Sequence, residues 1–218
     1  MRTLLLAATS AAALAFAPVA DAATIITFGQ VSGLNTVSGT AGAAGTTLAG
    51  SDVLVTITQI DDAGTATPVN AYLDFTANST SGATAPPSVA IIQHFAGTFS
   101  VNGAADGSGI DYLSGSFVDG VFGIRGLTGL VLTADGTFSS DVIDDLSPPR
   151  NLGLTFTNLT PALTTVAAAT DTGWTIGSFT ASVSGNASAE ATPVPEPASM
   201  ALLGVGLLGL GFLRRKQS

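Results

Sequence analysis

The 218-residue chain contains no cysteine. An exported domain without cysteine has no disulfide framework, so its hydrophobic core must hold it unaided. The same absence removes a thiol nucleophile and a lipid anchor on an N-terminal cysteine. Cations are almost as scarce. Six residues are Lys or Arg: Arg2, then Arg125 and Arg150, then Arg214, Arg215 and Lys216. Phosphate backbones are held by clustered cations, and two arginines in the body exclude nucleic acid as a partner. Glu and Lys, the usual occupants of exposed helix faces, are nearly missing from the body. One Trp and two Tyr are present; Trp174, Tyr72 and Tyr112 are too few for the aromatic walls of an enzymatic glycan groove. There is one histidine, His94, and no serine stands in a Gly-x-Ser-x-Gly elbow, so a serine triad has no support.

What remains is rich in Gly, Thr, Ser, Val and Phe, and its acids are nearly all Asp. Asp favours turns, where its carboxylate bonds nearby backbone. The composition is that of an all-β exported protein, with roughly 170 residues left for one domain once both ends are set aside.

Hydrophobic alternation places the strands. Thr24 to Phe28 opens the set. Over Asp52 to Ile60, Val53, Val55, Ile57 and Gln59 share one face; over Asn70 to Thr76, Ala71, Leu73 and Phe75 oppose Tyr72, Asp74 and Thr76. Ser88 to Val101 is a long strand, bent at Gly97. Ile110 to Val118, Val121 to Arg125, Leu130 to Thr133, Thr137 to Ile143, Leu152 to Leu159 and Trp174 to Val183 follow. Asp135-Gly136 is a hairpin turn between two of these. Pro161 to Thr170 is the place for a short helical turn. Short strands between regular turn signals point to a single β-sandwich or jelly-roll-like domain over residues 23–184. Residues 185–194 read as a flexible linker. A Gly-[Ser/Thr]-Phe triplet starts at Gly97, Gly115, Gly136 and Gly177. Its spacing is irregular, so it is not a solenoid repeat; the glycine permits a close backbone approach and the phenylalanine enters the core.

The acidic residues are the candidate sites. Asp61, Asp62, Asp111, Asp119, Asp141, Asp144 and Asp145 are the carboxylates available for paired acid–base work, and most fall in turns where Asp has a local backbone role. Asp61 with Asp62, and Asp141 with Asp144 and Asp145, cluster in short loops as a calcium site would, calcium being the one cofactor open to this body. Solvated turn acids are the more economical reading. His94 shares a strand face with Ile92 and Ala96, as a structural or edge histidine does. Asn78, Asn158 and Asn186 fit Asn-x-Ser/Thr.

The two ends carry the strongest signals. Residues 1–22 form a secretory signal peptide: Arg2, an apolar run from Leu4 to Phe16, and a small-x-small cleavage site at Ala20-Asp21-Ala22. At the other end, Pro193, Pro195 and Pro197 alternate and hold the chain extended, with Glu196 displayed between two of them. Residues 198–213 are uncharged; as a helix they would reach about 24 Å, a few Å short of a bilayer core. Arg214, Arg215 and Lys216 then form a basic stop that keeps this end cytoplasmic. The order of Pro195-Glu196-Pro197, apolar run and cations over residues 195–218 resembles the PEP-CTERM sorting signal of Gram-negative bacteria. The resemblance implies an exosortase as partner, a transient stay in the inner membrane through a transmembrane sorting helix, and a final place at the cell surface or in the extracellular matrix. It implies a non-enzymatic structural protein associated with exopolysaccharide or biofilm. A surface-displayed carbohydrate- or calcium-binding module is the alternative, and an exported hydrolase comes third.

Overall fold

The computed structural model describes residues 22–31, 37–61 and 64–190, which form eleven β-strands and no helix. They are β1 (Ala22–Gln30), β2 (Val37–Gly42), β3 (Gly45–Ile60), β4 (Val69–Ser79), β5 (Ala90–Asn102), β6 (Asp111–Ile124), β7 (Leu130–Ser139), β8 (Asn151–Thr160), β9 (Thr165–Ala167), β10 (Trp174–Ile176) and β11 (Phe179–Glu190). Nine of them join one antiparallel sheet, and β9 with β10 makes a separate hairpin.

That sheet closes on itself. From β3 to β8 each strand pairs with the next. β11 then pairs with β8 on one side and with β1 and β2 on the other, and both of these pair with β3. β1 takes the end of β3 near Ile60 and β2 the end near Gly45, so the two short strands fill one position end to end. The strand positions are therefore β1/β2, β3, β4, β5, β6, β7, β8 and β11, an eight-position up-and-down barrel. The expected sandwich of two packed sheets is corrected here. Pairing of β8 with β11 removes the free edges that a sandwich would leave.

Alternation sorts the residues between inside and outside. β7 buries Leu130, Leu132, Ala134 and Phe138 and exposes Val131, Thr133, Asp135 and Thr137. Phe28, Phe75, Phe95, Phe99, Phe117, Phe138 and Phe156 are all buried and, with Leu, Ile and Val, fill the interior. Eight strands enclose a space that side chains can fill, and this one is filled as a core. The outer wall is mostly Thr, Ser, Asn and Asp, the reverse of the polarity of a membrane-spanning barrel.

The Gly-[Ser/Thr]-Phe triplets are the packing device of this interior. In the antiparallel register Gly97 faces Phe117 and Phe99 faces Gly115; on the next seam Gly115 faces Phe138 and Phe117 faces Gly136. Each phenylalanine lies over a glycine of the neighbouring strand, as Phe75 lies opposite Gly50 and Phe28 opposite Gly185. A methyl group at Gly115 would collide with the Thr137 carbonyl and come within 3.3 Å of the Phe99 ring. The rings meet each other as well: Phe99 and Phe138 stand edge to face at 5.8 Å, a favoured aromatic geometry.

Several boundaries differ from the expectation. Asp135-Gly136 lies inside β7, because Gly136 is needed opposite Phe117 and the ladder to β6 runs through it unbroken. β5 passes Gly97 without a register shift, so that glycine makes room rather than a bend. Residues 110–125 hold one strand, β6, in place of two. Residues 185–190, expected as linker, are the second half of β11. Residues 161–170 hold no helical turn, and part of them forms β9.

The connection between β8 and β11 covers one mouth of the barrel, here called upper. Gln93, fully buried, anchors it. Its Nε2 donates to Ser81 O and Thr175 Oγ1, both at 2.9 Å, and its Oε1 accepts Ile176 N–H at 3.0 Å. The Thr46 hydroxyl lies 2.6 Å from Thr175 Oγ1 and 2.5 Å from Ile176 O. A satisfied polar network of this kind fixes one orientation of the plug, since any slip would strand buried polar atoms. The opposite, lower mouth gathers Asp61, residues 64–68 and the connections 103–110 and 140–150, together with the paired ends of β1 and β11.

Candidate functional site

Most of the acids singled out from the sequence collect at the lower mouth, whereas Asp119 stands within β6, paired with Phe95 and Ala134. Asp111 opens β6 and Asp141 follows β7, and the two residues clasp each other. Asp111 N–H donates to Asp141 Oδ2 at 2.9 Å, and Asp141 N–H donates to Asp111 O at 2.8 Å. The Ser140 hydroxyl donates to Tyr112 O at 2.7 Å and accepts the N–H groups of Val142 and Ile143 at 3.1 and 3.0 Å. This local bonding turns the chain back on itself and buries Ile143 with the rest of the core.

Asp111 is the electrostatically unusual member. Its Oδ2 accepts the Ser114 hydroxyl at 2.5 Å, while Oδ1 is buried with no hydrogen-bond partner. Burial pushes its carboxyl above the usual range. The Ser114 hydroxyl opposes this, and the neighbouring negative charge of Asp141 adds to it. Hydrogen bonds from the Ser108 hydroxyl and backbone hold Asp106, by contrast, below its ordinary value.

The remaining candidate ligands have separate local roles. Asp145 Oδ1 accepts Ser147 N–H at 3.1 Å. Asp144 is exposed, and so is Asp61, whose backbone N–H bonds Ile25 O at 2.8 Å. Asp62 lies outside the described residues. Among the described residues no three His, Asp or Glu side chains come together as a metal site. What the lower-mouth acids do chemically is tie β6 to the β7–β8 connection.

The other singled-out residues are dispersed. His94 points outward from β5 and is exposed. Tyr112 is buried at the lower mouth, Tyr72 is half-buried on β4, and Trp174 is half-buried in the upper plug. Asn78, Asn158 and Asn186 are exposed on the barrel wall. Arg125 staples the upper mouth, donating from Nε to Ser88 O at 3.0 Å and from Nη1 to Thr165 Oγ1 at 2.9 Å; its Nη2 is buried with no hydrogen-bond partner.

One surface feature was not read from the sequence. Ile92, Phe122 and Val131 lie in register across β5, β6 and β7 on the outer wall, all exposed, with Phe122 at 51%. Ile124, Leu127 and Val89 extend this apolar surface toward the upper mouth. Beside Phe122 runs a groove of about 350 Å³, walled by Thr155 and Thr157 and floored near Gly129. Alternation puts Ile92 on one face with His94, and both turn outward. That Ile92 and Phe122 stand side by side depends on register, which no local pattern carries.

Ala22 is the first residue of β1 and pairs with Glu190, the last of β11. Ala20 and the tail residues Pro195, Glu196, Pro197, Arg214, Arg215 and Lys216 lie outside the described residues. No curated protein and no solved structure matches the chain. The tail does match a known family: residues 193–216, which hold the alternating prolines, the glutamate, the apolar run and the three cations, carry a PEP-CTERM protein-sorting motif, and so mark this chain as an exported protein sorted by an exosortase.

Proposed function

We propose that the chain is a non-enzymatic structural protein of the cell envelope or extracellular matrix. The signal peptide takes it across the inner membrane and is removed after Ala22. The apolar run 198–213 and the cations Arg214, Arg215 and Lys216 then hold it there. An exosortase reads Pro195-Glu196-Pro197, and the barrel is displayed at the surface or passed into exopolysaccharide. The matched sorting motif is the observation that carries this reading. A β-barrel whose interior is filled by its own phenylalanines supports a scaffold in place of a container. Four residues separate Glu190, where β11 ends, from Pro195, so the barrel and the sorting signal are nearly contiguous in sequence.

The test is fractionation of the native host by immunoblot against the barrel. The reading expects a tail-free form in the surface or exopolysaccharide fraction and a longer precursor in the inner membrane. Barrel recovered only from the cytoplasm, or only as precursor, would overturn it.

A further inference from the structure

We propose that a cleft at the upper mouth, framed by the β2–β3 turn, the β4–β5 connection and the β9–β10 turn, binds a neutral saccharide chain. The proposal rests on the matrix reading above and names the contact through which the barrel holds polysaccharide. Small ligands favour the mouths of β-barrels. Here phenylalanines fill the interior, so a ligand has to lie across the loops.

The three connections are tied to one another, which fixes the walls of the cleft. Ala169 N–H donates to Ala43 O at 2.7 Å, and Thr46 N–H donates to Ser79 Oγ at 2.9 Å. The Thr172 hydroxyl donates to Ala83 O at 2.7 Å, and Ala83 N–H donates to Trp174 O at 2.8 Å. Gly82 N–H donates to Asp171 Oδ1. A Cβ at Gly82 would come within 2.7 Å of the Thr170, Asp171 and Thr172 side-chain oxygens, so the two loops close on each other there with no space left over. Between the connections lie two adjoining hollows, of about 260 and 390 Å³, which share Ala44 and Ser79.

The lining selects the ligand. It presents the hydroxyls of Thr47, Ser79, Ser81 and Thr170, the Asn78 carboxamide and the Asp171 carboxylate. No lining side chain is a cation, so a phosphate, sulfate or uronate would have no counter-charge there. None is apolar beyond an alanine methyl, so a lipid tail or apolar peptide would have little to bury against. A neutral sugar needs what is present, donors and acceptors at close range. Asp171 is pinned through Oδ1 and keeps Oδ2 to accept from sugar hydroxyls. Asn78 Oδ1 accepts the Thr47 hydroxyl at 2.9 Å, which leaves its Nδ2 to donate. Both side chains are held before a ligand arrives, and this lowers the ordering cost of binding. Residues 23–190 hold thirteen Asp and Glu against two Arg, a net charge of −11. That field turns away anionic polymers and leaves a neutral one unopposed. The cleft also lies at the end of the barrel opposite Glu190, where β11 leads toward the tail.

The single tryptophan, Trp174, reports on the cleft, because its carbonyl accepts the Thr170 hydroxyl at 2.9 Å. The full chain, purified in a detergent without a sugar headgroup, is titrated with cellohexaose, maltohexaose, dextran and the neutral exopolysaccharide of the native host. Tryptophan fluorescence is the first readout and isothermal titration calorimetry the second. At least one of these probes should bind saturably, with EDTA present or absent, and oligogalacturonate should not. Asp171→Asn keeps an acceptor for Gly82 N–H but loses the charged one for sugar, and should weaken binding about tenfold. Asn78→Ala should weaken it in the same direction; Asn78 is exposed, so the fold should be unaffected, and an unchanged fluorescence spectrum without ligand checks this. Asn151→Ala, at the lower mouth, should bind like wild type. Absence of saturable binding to every neutral probe would overturn the inference. So would equal binding of oligogalacturonate, loss of binding in EDTA, or wild-type affinity in both Asp171→Asn and Asn78→Ala. Barrel found in the surface or exopolysaccharide fraction without any such binding would sink the cleft and leave the matrix reading standing. Barrel confined to the cytoplasm would sink the matrix reading whatever the titration shows.

Discussion

Gly115→Ala should destabilise the barrel far more than its single added methyl suggests. Gly115 lies on the inner face of β6, facing Phe99 on one seam and Phe138 on the other. Its new Cβ would collide with the Thr137 carbonyl of β7 and reach 3.3 Å from the Phe99 ring. A ring can tilt, but a ladder carbonyl cannot move without pulling β6 from β7. Overpacking of a well-filled core costs about 1–3 kcal/mol, and a backbone collision belongs at the top of that range. A loss of about 3 kcal/mol raises the unfolding constant roughly a hundredfold. With a urea slope of about 2–3 kcal/mol/M it lowers the midpoint by about 1–1.5 M. The control is Gly29→Ala in β1, where an added Cβ meets nothing within 4 Å. There the smaller entropy of the unfolded chain should leave stability unchanged or raise it by about 0.4–1 kcal/mol. The measurement is equilibrium urea denaturation of residues 22–190, followed by far-ultraviolet circular dichroism. If the two variants have the same midpoint, the glycines are not placed to receive the phenylalanines, and the account of the interior is wrong.

Three further outcomes follow from the same structure. Asp111→Asn should become stabilising relative to wild type as pH rises. The Asp111 carboxyl is raised on folding, so its contribution is fully present below about pH 3.9 and is lost as pH climbs through the raised value; urea midpoints at pH 3.5 and 7 that shift equally for both proteins would refute this. Gln93→Leu should cost roughly 1–3 kcal/mol, since it leaves the buried Ile176 N–H without an acceptor, and protease cleavage within residues 161–178 should rise in step; unchanged stability and cleavage would show that the plug is held otherwise. Mature protein from the native host should begin at Ala23 or within a residue or two of it, and terminal sequencing that finds Met1 intact would remove the signal peptide from the account.

The sequence carried the parts of this barrel that have a period of two. Val53, Val55 and Ile57 on β3, and Ala71, Leu73 and Phe75 on β4, alternate so regularly that each set was legible as one strand face, and both faces turn inward. The first half of the β1/β2 position was legible too, through Ile25, Ile26 and Phe28. Residues 37–50 were not. Val37-Ser38-Gly39-Thr40-Ala41-Gly42 offers small side chains on both faces, and it is a strand because β3 and β11 flank it. Asp135-Gly136 reads locally as a turn, but in β7 Gly136 answers Phe117 on the neighbouring strand, a ring outside any local window. The same is true of Gly185, whose place opposite Phe28 extends β11 through what looked like linker. Closure itself rests on β8 meeting β11, a register between distant segments, and nothing local distinguishes it from the edges of a sandwich. The acid cluster was legible as residues; that Asp111 and Asp141 would clasp each other, by one backbone bond and one bond to the Asp141 carboxylate, was not. The tail was the reverse case, because its message is linear: prolines, apolar run and cations in order along the chain.

The most direct test of the sorting account is deletion of Pro195 to Pro197 in the native host, followed by fractionation and intact-mass measurement. In the proposed route the signal peptide still directs export, and residues 198–213 with Arg214, Arg215 and Lys216 still halt it. The deleted form should therefore accumulate in the inner membrane at unprocessed length, less only the signal peptide. Neutral replacement of Arg214, Arg215 and Lys216 should instead release the chain with its tail attached. If the deleted form is matured and displayed like wild type, the Pro-Glu-Pro segment is a spacer, and the claim that an exosortase sorts this protein through it is contradicted.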